Sequence, residues 1–345
     1  MRGVETAFHY GGTEPPTDPW AEVRANRAAE DEGDPLGPSE VADLRDALTA
    51  EVSKAVIGQE HAIELMMVAA IAGGHVLVEG PPGVAKTLLS NALAHALGIS
   101  FNRIQFTPDT TPSHIAGKTI EQMGEPVFLP GPVFTNILLA DEINRTPPRT
   151  QAALLEAMQE KQVTVDGKTH WLPNPFIVIA TQNSLEQHGV FPLPEAQLDR
   201  FLFKVQIDYG DESHEIEMLN LPHAGLTPDL IGEIHPLMGS AKLTRAQREV
   251  DRTNAPQDLV RYVVRIVRET RAMDDVTLGA SPRAAIHLLA AAKACARLGG
   301  RDHVIHSDVD EMALPVLGHR IIVEGRSPAE IVAAAVGAVN ERGGR

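Results

Sequence analysis

Cysteine is nearly absent from the 345-residue chain. Cys295 stands alone, which excludes an intrachain disulfide and any zinc site built on thiolates. His303-x-x-His306 is the nearest approach to paired metal ligands, and it has no carboxylate or Cys companion at useful spacing. Aromatics are scarce at 4%, and positive charge is in deficit: 30 Lys and Arg against 46 Asp and Glu give a net of −16. Sequence-independent binding to nucleic acid takes basic grooves and stacking platforms, so both shortages argue against it, and the charge argues equally against an anionic membrane face. No run approaches the ~20 apolar residues of a membrane span. No apolar stretch follows Arg2 as a secretory leader requires, so a cytoplasmic protein is expected. What the chain has in quantity is apolar content, 43%, and enough length for about two domains.

The first forty residues carry nine acids against three Arg, a net of −6, with Trp20 almost the only large apolar anchor. Such a segment buries too little to offset its chain entropy. Residues 1–38 therefore read as a disordered acidic extension, either a solubilising tail or a docking arm. Ser39 reads as an N-cap, and Val41, Leu44, Leu48, Val52 and Val56 then recur at helical spacing. Val56-Ile57-Gly58-Gln59 breaks that helix, and His61–Ile71 forms another. Five short apolar or β-rich runs follow: His75–Glu79, Phe101–Phe106, Asn136–Ala140, Phe176–Ala180 and Phe201–Ile207. Helical patterns separate most of them, notably Thr87–Leu97 and Arg149–Glu160. The alternation predicts an α/β core over residues 39–209, with a parallel five-stranded sheet covered on both faces. Two insertions interrupt it. Residues 110–133 are rich in Pro and Gly with no clean period, and residues 162–172 read as a hairpin turning at Asp166-Gly167. Beyond Asp208, helical patterns at Asp258–Met273, Pro282–Leu298 and Asp308–His319 have no strands between them. They predict a smaller all-helical domain over residues 210–345, hinged near Gly210.

Val76-Leu77-Val78-Glu79 empties into Gly80-Pro81-Pro82-Gly83-Val84-Ala85-Lys86-Thr87, where a helical pattern begins. This is the layout of a phosphate-binding loop. Backbone N–H groups face an anion, Lys86 reaches the β- and γ-phosphates, and the Thr87 hydroxyl ligates Mg²⁺. Ala85 occupies the place where G-x-x-x-x-G-K-[ST] has Gly, and its methyl is tolerable if that residue is already helical. The apolar run Ile137–Ala140 ends in Asp141-Glu142, at the carboxyl edge where α/β folds place ligands. There Asp141 would hold Mg²⁺ through its water shell and Glu142 would act as general base on the attacking water. Taken alone, the same string is also a strand ending at solvent. The next run ends in Thr181-Gln182-Asn183, whose amide could bond the water or the γ-phosphate. Arg200 precedes the last strand and is suited either to a phosphate in a neighbouring subunit or to a salt bridge with Glu195 or Asp199. In Ser281-Pro282-Arg283, Ser is an N-cap and Pro takes N1. Arg283 at N2 opposes the helix dipole, so it needs a compensating contact, with a γ-phosphate across the hinge or with an acidic loop.

These residues together resemble the MoxR family of AAA+ ATPases, from about Val41 to about Val323. The likeness is strongest in Glu79–Leu88, Arg103–Asp109, Leu138–Gln159 and Phe191–Val205. Ala85 is itself common in that family. The resemblance implies that Gly80, Pro81, Pro82, Gly83, Val84, Ala85, Lys86, Thr87 and Leu88 contact ATP or ADP as Walker A. It implies that Asp141 and Glu142 are Walker B, and that Thr87 and Asp141 serve Mg²⁺. Asn183 would be sensor 1, Arg200 the arginine finger and Arg283 sensor 2, with Ile57 and Gly58 near the adenine. Residues 110–133 match the family's helix-2 insert and 162–172 its pre-sensor hairpin. Ser184 stands where Pro is frequent and His114 where an acid is, both away from the phosphates.

A P-loop AAA+ core followed by a helical lid is thus expected. The resemblance further implies a homo-oligomeric ring, usually a hexamer, and a partner carrying a von Willebrand factor A domain. The expected work is ATP hydrolysis that remodels or matures other protein complexes. An ATP-gated scaffold with negligible hydrolysis, a chelatase-type motor subunit for metal insertion and a nucleic-acid motor are the competing expectations.

Overall fold

The computed structural model describes residues 37–122, 124–184, 189–220 and 229–343. The acidic extension, apart from its last two residues, lies outside them. The first helix, α1 (Pro38–Ser53), starts one residue earlier than Ser39 would place it: Gly37 is the N-cap, Pro38 takes N1, and Glu40 Oε2 accepts from the Gly37 N–H at 2.9 Å. Proline's fixed φ suits N1 and prevails over the hydroxyl of Ser39. Val41, Leu44, Leu48 and Val52 face inward as their spacing requires. α2 follows (Glu60–Ala72) and leads into β1 (Val76–Gly80), α3 (Lys86–Leu97) and β2 (Phe101–Gln105).

The region of residues 110–133 is more regular than its composition indicates. It forms α4 (Pro112–Ala116) and an antiparallel pair, β3 (Gly117–Gln122) with β4 (Glu125–Pro130). Its glycines permit close backbone approach: a Cβ at Gly131 would lie 2.2 Å from the Ile115 carbonyl oxygen. Next come β5 (Ile137–Asp141), α5 (Pro148–Glu160) and the expected hairpin, β6 (Gln162–Val165) with β7 (Lys168–Trp171). Asp166 and Gly167 have φ of 49° and 75°, the two positive values a type I′ turn demands. The two hairpins meet: Phe128 of β4 stacks on His170 of β7, ring centroids 4.1 Å apart, with Phe134 edge-on to both.

β8 (Ile177–Asn183), α6 (Glu195–Leu198) and β9 (Phe203–Gln206) complete the core. The five core strands are parallel in the order β2-β5-β8-β1-β9. Alternate residues serve opposite faces. Val76, Val78, Leu139 and Ile179 join one apolar cluster, while Leu77, Leu138, Val178 and Ala180 join another with Leu154, Leu155 and Met158 of α5.

The remainder is α7 (Glu212–Leu219), α8 (Asp229–Gly232), α9 (Ser240–Arg252), α10 (Gln257–Ala272), β10 (Val276–Leu278), α11 (Pro282–Leu298), α12 (His306–Leu317), β11 (Ile322–Val323) and α13 (Pro328–Gly343). It is not wholly helical: β10 and β11 pair antiparallel, a ribbon too short to show in an apolar period. The first sheet cluster runs without interruption through α1 and α2 into α11, α12 and α13. The lid therefore shares a buried core with the sheet domain.

Candidate functional site

The order of strands puts β1 between β8 and β9, with β2 reached only by crossing past β8 and β5. This is a topological switch point, and the cleft at the carboxyl ends of β1, β5 and β8 is where an α/β fold takes its ligand. The loop of Gly80–Thr87 occupies that place. Gly80 is required there, since a Cβ would lie 2.1 Å from the Ile207 carbonyl oxygen. Lys86 Nζ donates to the carbonyls of Gly80 at 2.6 Å and Pro81 at 3.0 Å, and reaches Gln182 O of β8 at 3.5 Å. Ala85 is not right-handed helical as expected: its φ of 57° and ψ of 22° are left-handed, and it supplies α3 with no side-chain cap. An L-residue there costs about 1–2 kcal/mol. The N–H groups of a helix's first turn have no partner within it, and a Cβ added at Gly83 would meet nothing within 4 Å. N–H groups at a helix start beneath open space fit a phosphate chain.

Asp141 and Glu142 stand at the end of β5, two strands away. Asp141 is buried, its Oδ1 accepting from Thr181 Oγ1 at 2.6 Å. Arg103 of β2 donates to its Oδ2 through Nε at 3.1 Å and Nη2 at 2.6 Å. Glu142 also has a left-handed backbone, φ 58°, and its N–H donates to the same Thr181 hydroxyl at 2.9 Å. Its carboxylate Oε2 accepts from Gln105 Nε2 at 2.7 Å and pairs with Arg145 Nε at 2.9 Å. Thr181 thus aligns both acids, while Arg103, Gln105 and Arg145 surround them with donors. None of these four was singled out from sequence. Arg103 and Gln105 share a face of β2 by their i, i+2 spacing, and Gln105 is in register with Asp141, a signal visible only once the strand order is known. Asn183 ends β8 opposite Gly80, so it reaches the same cleft.

Ile57 and Gly58 also come to this edge. Gln59 Nε2 donates to Asp208 O at 3.1 Å, and Gly58, at φ 72°, packs so closely on His214 that a Cβ would lie 2.7 Å from its ring. Val84 packs beside Gly80, and Leu88 packs on the core beneath the loop.

Arg200 and Arg283 do not join this cleft. They line a cavity of about 280 Å³ with Gly74, His75, Lys161 and His287. Gly74 and His75 precede β1, so the cavity opens at the amino edge of the sheet, and five residues of β1 span about 16 Å to the P-loop. A contact from Arg283 across a hinge to its own subunit's P-loop is therefore not what this conformation presents. Asp199 pairs with Arg320 at 2.9 Å rather than with Arg200, and Arg200 Nε is buried without a hydrogen-bond partner among the described residues. Ser281 caps α11 as expected, accepting from the Ala284 N–H at 3.1 Å. His287 is pushed down to about 4 by burial and then by the Arg320 charge, so it is neutral at physiological pH. Among the described residues no group of three His, Cys, Asp or Glu could hold a metal ion, and no helix is long and apolar enough to cross a membrane.

Residues 75–203 match the model of the ATPase family associated with various cellular activities, and residues 268–336 match an AAA lid domain. The chain is 45% identical to Chaperone MoxR1 of Mycobacterium tuberculosis, over 79% of this chain and 74% of that one. It is 33% identical to Protein MoxR of Paracoccus denitrificans, over 83% and 89%. The crystal structure of a Cytophaga hutchinsonii protein put forward as an ATPase superposes with a TM-score of 0.80 at 35% identity, covering 92% of this chain and 98% of that one.

Proposed function

Because this chain belongs to the MoxR family of AAA+ ATPases, we propose that it hydrolyses ATP to remodel or mature other protein complexes, in a ring whose active sites lie between subunits. One arrangement carries the reading: the P-loop and the Asp141-Glu142 pair face the carboxyl edge, while Arg200 and Arg283 face the amino edge. A subunit so built offers half a site at each end, and head-to-tail stacking would complete each half. Lys86 and the loop N–H groups would bind the phosphates, exchanging the Gly80 and Pro81 carbonyls for phosphate oxygens. The Thr87 hydroxyl and Asp141 fit Mg²⁺ beside the nucleotide, an ion that supplies charge neutralisation on the phosphates when bound. Glu142 would take the proton of the attacking water, and Asn183 would orient that water. Arg200 and Arg283 would stabilise charge on the phosphates of the adjacent subunit. The two stacked hairpins, with Val127, Leu129 and Trp171 exposed, would meet the client. A von Willebrand factor A domain protein is the partner that the family membership leads us to propose, with a hexamer as the assembly.

The test is specific ATPase activity against protein concentration, with Mg²⁺ and no partner. Activity per subunit that rises steeply with concentration supports sites shared between subunits. A flat line near zero moves a second reading forward, an ATP-gated scaffold. One observation favours that second reading: Gln105 and Arg145 hold the Glu142 carboxylate, which restrains it from water until the pairing is released.

A further inference from the structure

Besides the shared apolar core, a buried polar cluster joins the lid to the sheet domain. Arg320 follows α12 and its side chain is 2% exposed. Its Nε donates to Asp199 Oδ1 at 2.9 Å. Its terminal nitrogens donate to the carbonyls of Phe201, Leu202 and Val316 and to His287 Nδ1. All five N–H groups of the guanidinium are thereby used, so Arg320 has none to offer a phosphate. Asp199 directly precedes Arg200. Its two carboxylate oxygens accept from the Ser281 hydroxyl at 3.0 Å each, and Ser281 caps the helix that carries Arg283. His287, one turn beyond Arg283, closes the cluster by accepting from Arg320 in its neutral form.

We infer that Arg320, Asp199 and Ser281 form a strut that fixes the loop of Arg200 to the helix of Arg283, presenting both arginines as one unit to the adjacent subunit's nucleotide. The inference rests on the shared-site reading above. Its physical basis is that the carboxylate has two loads, the guanidinium from the lid and the hydroxyl from the N-cap of α11. Hydrogen bonds to a charged group are roughly twice as strong as neutral ones. Here they link residues 82 apart in sequence at the Ser281 contact, so they hold together segments that the backbone leaves independent. Misplacement of a phosphate-contacting group by about 1 Å can cost about 100-fold in rate. Asp199, Ser281 and Arg320 are therefore positioning residues, and they act on the neighbour's turnover rather than on their own subunit's ATP binding.

The full-length chain carrying S281G tests this. Glycine is nearly as good an N-cap, within a few tenths of a kcal/mol, but it has no hydroxyl for Asp199. Loss of the bond to Asp199 should lower Tm by a few degrees only and leave ATP affinity near wild type while kcat falls about 10–100-fold, and S281T, which keeps the hydroxyl, should restore turnover. Mixing S281G with E142Q then separates the hypotheses. The S281G subunit brings an intact Glu142 and the E142Q subunit an intact strut, so sites that pair the one's Glu142 with the other's arginines should turn over, and the mixture should exceed the summed activity of the two proteins alone. R200A mixed with E142Q is the control. If R200A with E142Q recovers activity while S281G with E142Q does not, the strut is refuted and the shared site stands. If S281G alone keeps wild-type kcat, the strut is also refuted. Failure of the R200A control removes the shared-site reading, and the strut with it. D199N repeats the experiment from the other side of the bond.

Discussion

Acid should unfold this protein partly through one side chain, His75. The ring sits just before β1, buried and edge-on to Phe176 at 6.1 Å. Its Nδ1 accepts from the Val178 N–H at 2.9 Å, and its Nε2 donates to Met158 O at 3.2 Å. That pattern fits only the neutral tautomer, because an imidazolium would set a second N–H against the backbone N–H of β8. Burial accordingly pushes the group down to about 4 from its ordinary 6.5. Between these values the unfolded chain binds a proton that the folded chain refuses, so stability is full above about pH 6.5 and is lost as pH falls towards 4. At pH 5 the loss from this group alone is about 2 kcal/mol. Urea denaturation at pH 7.5 and pH 5 measures it, with His75→Asn as reference. The variant is less stable at pH 7.5, having lost the ring and one hydrogen bond, but its further loss on acidification should be smaller than wild type by about 2 kcal/mol. Equal losses for the two proteins would refute the neutral-histidine argument.

The other predictions concern the cleft. Glu142→Gln should retain ATP binding, read by equilibrium titration with a fluorescent analogue, while turnover falls about 100-fold or more; Lys86→Ala should fail in the titration itself. Normal turnover by the Glu142 variant would remove its role as base. Gly80→Ala forces a Cβ to 2.1 Å from the Ile207 carbonyl, so a loss of about 1–3 kcal/mol in urea is expected, accompanied by weakened ATP binding. Arg103→Met should destabilise by about 1–3 kcal/mol, since the arginine is half exposed but the Asp141 carboxylate it serves is largely buried and loses a charged hydrogen-bond partner. It should nevertheless lower the Mg²⁺ concentration needed for half-maximal turnover, because a cation competing for Asp141 has gone; an unchanged requirement would mean that Asp141 does not serve the metal.

The sheet was legible because buried parallel strands announce themselves: Ile137–Ala140 and Phe176–Ala180 have no polar residue to blur them, and their C-terminal polar residues fall where the fold binds ligands. Asp166-Gly167 was equally plain, since few pairs accept two positive φ values. Residues 110–133 were not, because a two-stranded exposed hairpin needs no apolar period, and β3 and β4 are mostly exposed. Ala85 shows a different limit. Its identity is readable, but its left-handed backbone is imposed by the loop around it. Arg103 and Gln105 escaped notice because their meaning depends on which strand lies beside β2. The two arginines were found as residues, and their placement at the far edge of the sheet became clear only from the cavity that α11 lines together with the residues before β1.

The stack of Phe128 on His170 has a bearing on how such a protein could be altered by inheritance or by design. The two hairpins it joins are separated in the chain by β5 and α5, which carry the Asp141-Glu142 pair and its scaffold. A crossover between two related genes that falls in this interval would deliver one hairpin from each parent, and the rings would meet a stranger. Exchange of this surface is therefore workable as a two-piece graft, both hairpins taken from the same donor with the catalytic segment between them left in place.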